Sequence, residues 1–254
     1  MMRNDMNPEI NTFFGRVVVI NLKARADRLA EMKEQLRRIG LCFDSANMQL
    51  FESTKPSDAA GFSSVGAHGC FMSHLAVLRA ACEDHVNALL ILEDDVNFCH
   101  DFNLKFAAVA SFLEATDWGM LYGSYCLSRR PNHFDWPCTR AASQLEIGTS
   151  AFLAINGQHI AALVSYLQAM LTRAPGDPQG GPMHIDGAYN WFRQSQPDMV
   201  TWLASPALGF QRSSRTDVHP LRWFDKLRWT AVLISKIRQW RNGLRRGAGE
   251  PEPG

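Results

Sequence analysis

The amino-acid sequence predicts an α/β protein in which a mainly parallel sheet is covered by helices on both faces. Short apolar runs of strand length alternate with longer segments whose apolar residues recur at helical spacing, which is the pattern of βαβ units. The 254 residues are enough for one large domain with a substantial core. Hydrophobic residues make up 46% and charged residues 20% of the chain, which excludes disorder, collagen and coiled coil for most of it.

The first predicted unit is a strand followed by a helix. The run Val17–Ile20 favours a buried strand because β-branched side chains suit a pleated sheet. This strand ends at Asn21 and Leu22. The apolar residues that follow are spaced by 3, 4 and 3, which is one face of a helix: Leu29, Met32, Leu36 and Ile39. Gly40 is placed to end this helix.

The middle of the chain contains a second unit of the same kind. Residues 53–69 are rich in Ser, Gly, Ala and Pro and predict a mobile loop. A helix is expected to begin near Ser73, and the apolar run Ala88–Leu92 then predicts a second buried strand. The later elements are predicted as strands at Met120–Tyr122 and Ala151–Ile155, a helix at Gln158–Leu171 and a turn-rich loop at 174–182.

Three adjacent carboxylates, Glu93, Asp94 and Asp95, follow the second strand. Like charges this close repel one another, and each loses hydration beside a core. A divalent cation would offset both costs, and oxygen ligands alone suit Mg²⁺ or Mn²⁺. In an extended chain Glu93 and Asp95 share one face, with Asp94 on the other. The alternative is a solvated acidic turn or the N-cap of the next helix.

Five short sequence blocks occur in order between about residue 16 and residue 190. They are Asn21-Leu22-x-x-Arg25-x-Asp27-Arg28, Gly66-x-x-Gly69-Cys70-x-x-Ser73-His74, Leu92-Glu93-Asp94-Asp95-Val96, Gly148-Thr149-Ser150-Ala151-Phe152-Leu153 and Ile185-Asp186. In this order they resemble glycosyltransferase family 25, the bacterial lipopolysaccharide glycosyltransferases and relatives of the collagen galactosyltransferases. Ala67 and His68 depart from the resemblance, since the family usually has an acid and an apolar residue there.

The resemblance implies a single Rossmann-like domain of the GT-A type. It also implies inverting transfer of a sugar from a nucleotide sugar, commonly UDP-galactose, to lipopolysaccharide or another surface glycan. In this interpretation Glu93 and Asp95 hold Mn²⁺ or Mg²⁺, which would stabilise the negative charge on the departing nucleoside diphosphate. Asp94 would contact the ribose or the metal.

Two later positions complete the predicted catalytic and metal set. Asp186 is the candidate general base, because inversion in one displacement requires a group that takes the proton of the acceptor hydroxyl. Its alternative role is the N-cap of the helix that follows. Metal-dependent transferases of this fold often add a late histidine to the metal, and His219 is the first choice and His184 the second. Each histidine has the alternative of an ordinary surface or core position.

The residues expected to contact the donor are Asn21, Leu22, Arg25, Arg28, Ser73, His74 and Asp94. Arg25 and Arg28 would match the diphosphate, because guanidinium forks fit phosphate oxygens. Alternatively they form a solvated helix start in which an arginine pairs with Asp27. Ser73 and His74 would orient the donor or the acidic triplet, and otherwise serve as an N-cap and a structural histidine.

The C-terminal part of the chain is strongly basic. Residues 212–246 contain ten Lys/Arg and two acids, a net +8, so the rest of the chain carries −7 for a total of +1. The segment 221–246 repeats apolar residues at helical spacing and contains Trp223, Trp229 and Trp240. We expect an amphipathic helix that binds an anionic membrane surface; alternatively it packs on the domain or mediates dimerisation. The near-neutral total charge argues against a nucleic-acid partner.

The predicted organisation has four parts: an N-terminal extension at 1–15, the GT-A-like domain at 16–220, the basic helix at 221–246 and a disordered tail at 247–254. We find no secretory leader and no apolar run near the ~18 residues of a membrane span. Six cysteines without C-x-x-C pairs predict reduced and mostly buried thiols. We therefore expect a cytoplasmic protein, peripheral on the inner face of the cytoplasmic membrane.

Two other functions would use the same residues. A metal-dependent phosphohydrolase also exploits clustered carboxylates, but the sequence has neither an aspartyl-phosphate DxDx[TV] motif nor a P-loop. A non-catalytic member of the fold would bind ligands through its cleft or its basic tail. The intact acidic triplet favours the transferase over both.

Overall fold

The computed structural model of the chain describes residues 8–53 and 55–212. Its strands are β1 (Arg16–Leu22), β2 (Met48–Ser53), β3 (Ala88–Glu93), β4 (Val96–Phe98), β5 (Met120–Tyr122), β6 (Cys126–Leu127), β7 (Cys138–Ala141), β8 (Ile147–Gly148), β9 (Phe152–Asn156), β10 (Thr201–Ala204) and β11 (Gly209–Gln211). Its helices are α1 (Pro8–Phe13), α2 (Ala26–Arg38), α3 (Val65–Glu83), α4 (Phe102–Ala115), α5 (Gly157–Leu171) and α6 (Ile185–Ser195).

The main sheet has seven strands in the order β2-β1-β3-β9-β5-β10-β7. Strand β1 is parallel to β2 and β3, and β5 is parallel to β10, whereas β9 and β7 run against their neighbours. Most strands therefore share one direction, and the predicted α/β fold with a Rossmann-like, mainly parallel sheet is confirmed. Since Ile20 pairs with Glu93, β1 and β3 end at the same edge of the sheet.

Both faces of the sheet are buried, which explains the continuous apolar runs of the central strands. Along β1, Val17 and Val19 join the core shared with α1, α2 and α4, while Val18 and Ile20 join the core shared with α3, α5 and α6. Strand β3 alternates in the same way. Each fully buried aliphatic side chain of this kind contributes about 1.5–3 kcal/mol to the stability of the fold.

The second helix begins earlier than the sequence pattern predicts. Helix α3 starts at Val65 rather than near Ser73, so the last residues of the predicted loop at 53–69 are helical. The loop prediction was wrong there because glycine and alanine composition does not reveal the Ser64 cap that starts the helix. Ser64 is extended, and its side chain accepts a hydrogen bond from the Ala67 amide, which satisfies a free N–H at the helix start.

The other predicted elements agree with the structure to within a few residues. Helix α2 buries Met32 and Leu36, and Gly40 follows it with φ +81°, a left-handed conformation that ends helices. Strand β3, strand β5, strand β9 and helix α5 lie where the apolar runs placed them. All six cysteines are free thiols, as expected. They are less buried than expected, because Cys42 and Cys126 are exposed.

Two features bear on the C-terminal part of the chain. The small sheet of β4 and β11 is antiparallel and pairs Val96 with Gln211, which brings the last described residues against the segment after β3. Within the described residues, no helix combines the length and the apolar character needed to cross a bilayer. His219, the basic segment 221–246 and the tail 247–254 lie outside the described residues, as do residues 1–7 of the predicted N-terminal extension.

Candidate functional site

A cleft of about 110 Å³ opens where β1 and β3 end. The predicted site residues that line it are Leu22, Arg28, Ser73, His74, Glu93, Asp94 and Asp95. Its other lining residues include Cys70, the basic Lys55 and Gln211. The cleft therefore lies beyond the carboxyl ends of parallel strands, where open α/β sheets bind their ligands.

Asp94 connects the acidic turn to the end of β1. Its Oδ2 accepts a hydrogen bond of 2.7 Å from Asn21 Nδ2, and its Oδ1 accepts one of 2.9 Å from Arg28 Nη1. The Asp94 side chain is 7% exposed and that of Arg28 is 12% exposed. Burial raises the pKa of Asp94, and Arg28 and Asn21 offset part of the increase. Asn21 and Arg28 therefore both reach the site, and each does so by donating a hydrogen bond to the Asp94 carboxylate.

Asp95 lies beside Arg28 but has fewer partners than Asp94. Its Oδ2 is 3.3 Å from Arg28 Nη1 and accepts a hydrogen bond of 3.3 Å from Gln211 Nε2. Its Oδ1 is buried and has no hydrogen-bond partner among the residues that the structure describes. Burial raises the pKa of Asp95 to about 7, with Arg28 opposing the increase.

Glu93 lines the same cleft but has its contacts on the α3 side, whereas Asp94 and Asp95 meet Arg28 of α2. Ser150 Oγ donates a hydrogen bond of 2.6 Å to Glu93 Oε1, and His74 Nε2 is 3.5 Å from the same oxygen. Burial alone would raise the pKa of Glu93, but the His74 imidazole and the Ser150 hydroxyl outweigh it and lower the pKa. His74 is fully buried, and its Nδ1 shares a hydrogen bond of 2.8 Å with the hydroxyl of Tyr189 on α6.

The expectation that Glu93 and Asp95 share a face is therefore wrong. Alternation of side chains holds only within β3, which ends at Glu93, so Glu93 faces the α3 side. The chain then turns, and both Asp94 and Asp95 meet Arg28 on the α2 side. A pattern with a period of two residues does not extend into a turn.

Arg212 holds the acidic turn from the C-terminal side. Its Nη2 donates a hydrogen bond of 2.8 Å to the Asp94 carbonyl, and its amide donates one of 2.7 Å to the Asp95 carbonyl. Its Nη1 forms an ion pair of 3.0 Å with Glu31 of α2. Arg212 begins the basic stretch 212–246 of the sequence, but its side chain is only 8% exposed and belongs to the site.

Asp186 lies in the first turn of α6 and is not its N-cap, since His184 occupies that position. Its Oδ1 accepts a hydrogen bond of 2.9 Å from the Gly187 amide, and its Oδ2 accepts one of 3.4 Å from the Thr149 amide. Thr149 has φ +61°, an uncommon left-handed conformation for a threonine. Asp186 does not line the cleft, whereas Cys70 does. Burial raises the pKa of Cys70, and the charges of Glu93 and then Asp186 add to the increase.

Three predicted donor or metal residues form hydrogen bonds outside the acidic turn, although one of them, Ser73, also lines the cleft. Arg25 forms two hydrogen bonds with Asp27, of 2.9 and 2.8 Å, so the alternative of a paired helix start fits this arginine. This pair lowers the pKa of Asp27 to about 2. Ser73 Oγ donates to the Gly69 carbonyl one turn earlier on α3, at 2.7 Å. His184 Nε2 is 2.9 Å from Ser63 Oγ.

The cleft fits a divalent cation on two observations. The Asp95 Oδ1 is a buried acceptor for which the described residues provide no donor, and a cation would remove the cost of burying it unpaired. Glu93 and Asp95 both line the same cleft and supply oxygen ligands, which Mg²⁺ and Mn²⁺ prefer. The predicted third ligand, His219, is outside the described residues.

The comparisons with known proteins bear on this stretch of the chain. The model of "Glycosyltransferase family 25 (LPS biosynthesis protein)" matches residues 14–134, just under half of the chain, and includes α2, α3 and the acidic turn. The predicted resemblance to this family is confirmed. The class of protein that the match indicates is a glycosyltransferase.

Two relatives of known function are galactosyltransferases. The chain is 24% identical to procollagen galactosyltransferase 2 of Mus musculus and of Homo sapiens over 127 residues, which is 43% of this chain. It spans about a fifth of the length of these relatives. A solved glycosyltransferase involved in glycosylation of the major capsid of PBCV-1 is 12% identical, with a TM-score of 0.47, over 79% of this chain and 94% of that one.

Proposed function

We propose that this protein is a metal-dependent, inverting glycosyltransferase that uses a nucleotide sugar, UDP-linked as in the resemblance to family 25. The observation that carries the proposal is the acidic turn, which places Glu93, Asp94 and Asp95 in one cleft beside the end of β1. The family match over residues 14–134 supports it, because this match covers the same cleft. The basic Arg28 and Lys55, which also line the cleft, suit the charge of a diphosphate.

We assign different roles in sugar transfer to the residues of the acidic turn and to Arg28. Glu93 and Asp95 would hold Mn²⁺ or Mg²⁺, which neutralises charge on the departing nucleoside diphosphate. Asp94 is occupied by Asn21 and Arg28, so we assign it to positioning rather than to the metal. Arg28 faces the cleft and would balance the charge of the acidic turn as well as that of the diphosphate.

Donor and metal binding can be tested without knowing the acceptor. We expect UDP together with Mn²⁺ to raise the melting temperature, since a ligand that binds only the folded state stabilises it. Asp95→Asn should abolish the Mn²⁺-dependent part of the increase. Arg25→Ala is the matched control, because Arg25 pairs with Asp27 and should leave the increase unchanged. A wild-type chain that responds to no nucleotide would favour the non-catalytic binding protein.

Asp186 is proposed as the general base that takes the proton of the acceptor hydroxyl. Its carboxylate is held by two backbone amides, from Gly187 and Thr149, which fix its orientation. Asp186→Asn keeps the shape of the side chain and removes its basicity, so turnover should fall by about 10²–10⁴ while nucleotide-sugar binding survives. Near-normal turnover in a radiolabelled sugar-transfer assay would remove Asp186 from this role.

We also propose an acceptor and a cellular location for this protein. Lipopolysaccharide or another surface glycan fits the family description, and a lipid-linked acceptor would give the basic segment 221–246 a purpose at an anionic membrane surface. Deletion of 221–254 should then release the chain from vesicles that contain anionic lipid in a sedimentation assay. Equal sedimentation of the full and shortened chains would contradict the membrane assignment.

A further inference from the structure

The α3 side of the cleft contains a second set of metal-ligand atoms besides the carboxylates of the acidic turn. Cys70 and His74 are four residues apart on α3, so their side chains lie on one face of the helix. The Cys70 sulfur, a ring nitrogen of His74 and a carboxylate oxygen of Glu93 all lie within 4.8 Å of one another. Among residues 8–53 and 55–212, no other group of three such atoms is this compact.

The His74 ring is held by one nitrogen and leaves the other nitrogen available to a ligand. His74 Nε2 is buried and has no hydrogen-bond partner in the described part of the chain, while the other ring nitrogen is held by the Tyr189 hydroxyl at 2.8 Å. A second-sphere hydrogen bond of this kind fixes the ring and the tautomer of metal-bound histidines. Tyr189 is itself buried on α6, so the ring has little freedom to turn away.

The distances also suit a tetrahedral ion. With bonds of about 2.0–2.3 Å, tetrahedral ligands lie roughly 3.3–3.7 Å apart. His74 Nε2 and Glu93 Oε1 are already 3.5 Å apart, and the Cys70 sulfur lies within 4.8 Å of a ligand atom of each. All three residues line the cleft, which leaves the fourth position open to water or to a ligand.

We propose that Cys70, His74 and Glu93 form a binding site for a zinc-class divalent ion. Sulfur, nitrogen and oxygen together select a borderline-soft ion such as Zn²⁺, whereas the oxygen-only pair Glu93 and Asp95 selects Mn²⁺ or Mg²⁺. The two sites share Glu93, so one ion excludes the other. A consequence that rests on the proposed function is that Zn²⁺ inhibits sugar transfer by withdrawing Glu93 from the donor site.

Cobalt(II) provides a direct probe, because a thiolate bound to it gives an intense charge-transfer band in the near ultraviolet. The exposed Cys42 and Cys126 and the partly exposed Cys82 are first replaced by serine, so that Cys70 is the one accessible thiol left in the described chain. In this background Co²⁺ should give the band, and one equivalent of Zn²⁺ should abolish it. The further change Cys70→Ser should lose the band while circular dichroism shows an unchanged fold.

A second variant separates this site from the proposed function. Asp95→Asn should keep the cobalt band and lose Mn²⁺-dependent stabilisation by UDP, whereas Cys70→Ser should do the reverse. Failure of the UDP response alone therefore counts against the transferase and leaves the zinc site intact. A folded background protein that gives no band, or a band that survives Cys70→Ser, would overturn the proposal.

Discussion

The two sides of the acidic turn shift the pKa values of their carboxylates in opposite directions. On the α3 side, Glu93 receives a hydroxyl from Ser150 and lies beside the His74 imidazole, and its pKa is lowered. On the α2 side, Asp95 is two residues away and has Arg28 at 3.3 Å, yet its pKa is raised to about 7. The His74 imidazole and the Ser150 hydroxyl outweigh burial in the first case, and burial outweighs a nearby guanidinium in the second.

The contrast shows that a charged neighbour alone does not satisfy a buried carboxylate. Arg28 is shared between Asp94 and Asp95, and its shorter contact, 2.9 Å, goes to Asp94. Asp95 is left with one buried oxygen that no described residue serves. On the α3 side Glu93 therefore has a hydrogen-bond donor from the described residues, while on the α2 side the described residues leave one Asp95 oxygen without a partner.

Removal of Arg28 should have the largest effect on this contrast. Arg28→Ala leaves Asp94 and Asp95 buried without their shared cation, and we expect a loss of about 3–5 kcal/mol in the free energy of unfolding at pH 8. Urea denaturation measures it. Arg25→Ala is the control, since its more exposed pair with Asp27 should cost less than about 1 kcal/mol. Equal losses in the two variants would mean that Arg28 does not hold the turn together.

The raised pKa of Asp95 predicts an unusual dependence of stability on pH. Its value of about 7 in the folded chain lies above the ordinary 3.8. Between these values the folded state binds more protons than the unfolded state, so stability falls as pH rises through this window and levels off above it. Glu93 acts in the opposite sense, because its lowered pKa adds stability above 4.5 that is lost as pH falls.

The comparison of wild type with Asp95→Asn isolates this contribution. In the presence of a chelator, the wild type should lose about 2–4 kcal/mol more than the variant between pH 4.5 and pH 7.5. Urea titrations at several pH values measure the difference. Parallel stability curves for the two proteins would contradict a raised pKa at Asp95.

The smallest effect is expected on the α3 side. Ser150→Ala removes the donor of the 2.6 Å hydrogen bond to Glu93 and should cost about 1–3 kcal/mol, since the carboxylate loses a buried partner. Ser165→Ala is matched in chemistry, but Ser165 is exposed and bonds only its own helix, so its change should stay within about 0.5 kcal/mol. Thermal unfolding of both variants checks the order.

The strands and the position of the acidic turn were predictable because they depend on local pattern. The run Ala88–Leu92 must be buried on both faces, and such strands in α/β sheets end at the edge where ligands bind. The start of α3 was not predictable from composition, because the Ser64 cap outweighed a run of glycine and alanine. Arg212 was misplaced for a related reason, since sequence charge does not reveal which arginine is buried.

The site itself was only partly visible in the sequence. Asn21, Arg28 and His74 were named as donor contacts, and the structure brings all three to the acidic turn. Ser150, Gln211 and Arg212 had no assigned role, although Ser150 lies in one of the blocks that resemble the family. These residues join the site through contacts with residues far away in the sequence, and a single sequence does not reveal such contacts.

By itself, the sequence determined the α/β class, the strand that ends in three acids and the resemblance to family 25. Periodicity and adjacency are local properties, and a short motif keeps its order whatever the chain does around it. Only the tertiary structure decided which partner each carboxylate meets. Those partners come from β1, α2, α3, β11 and the segment before β9, and the balance between burial and these partners sets the direction of each pKa shift.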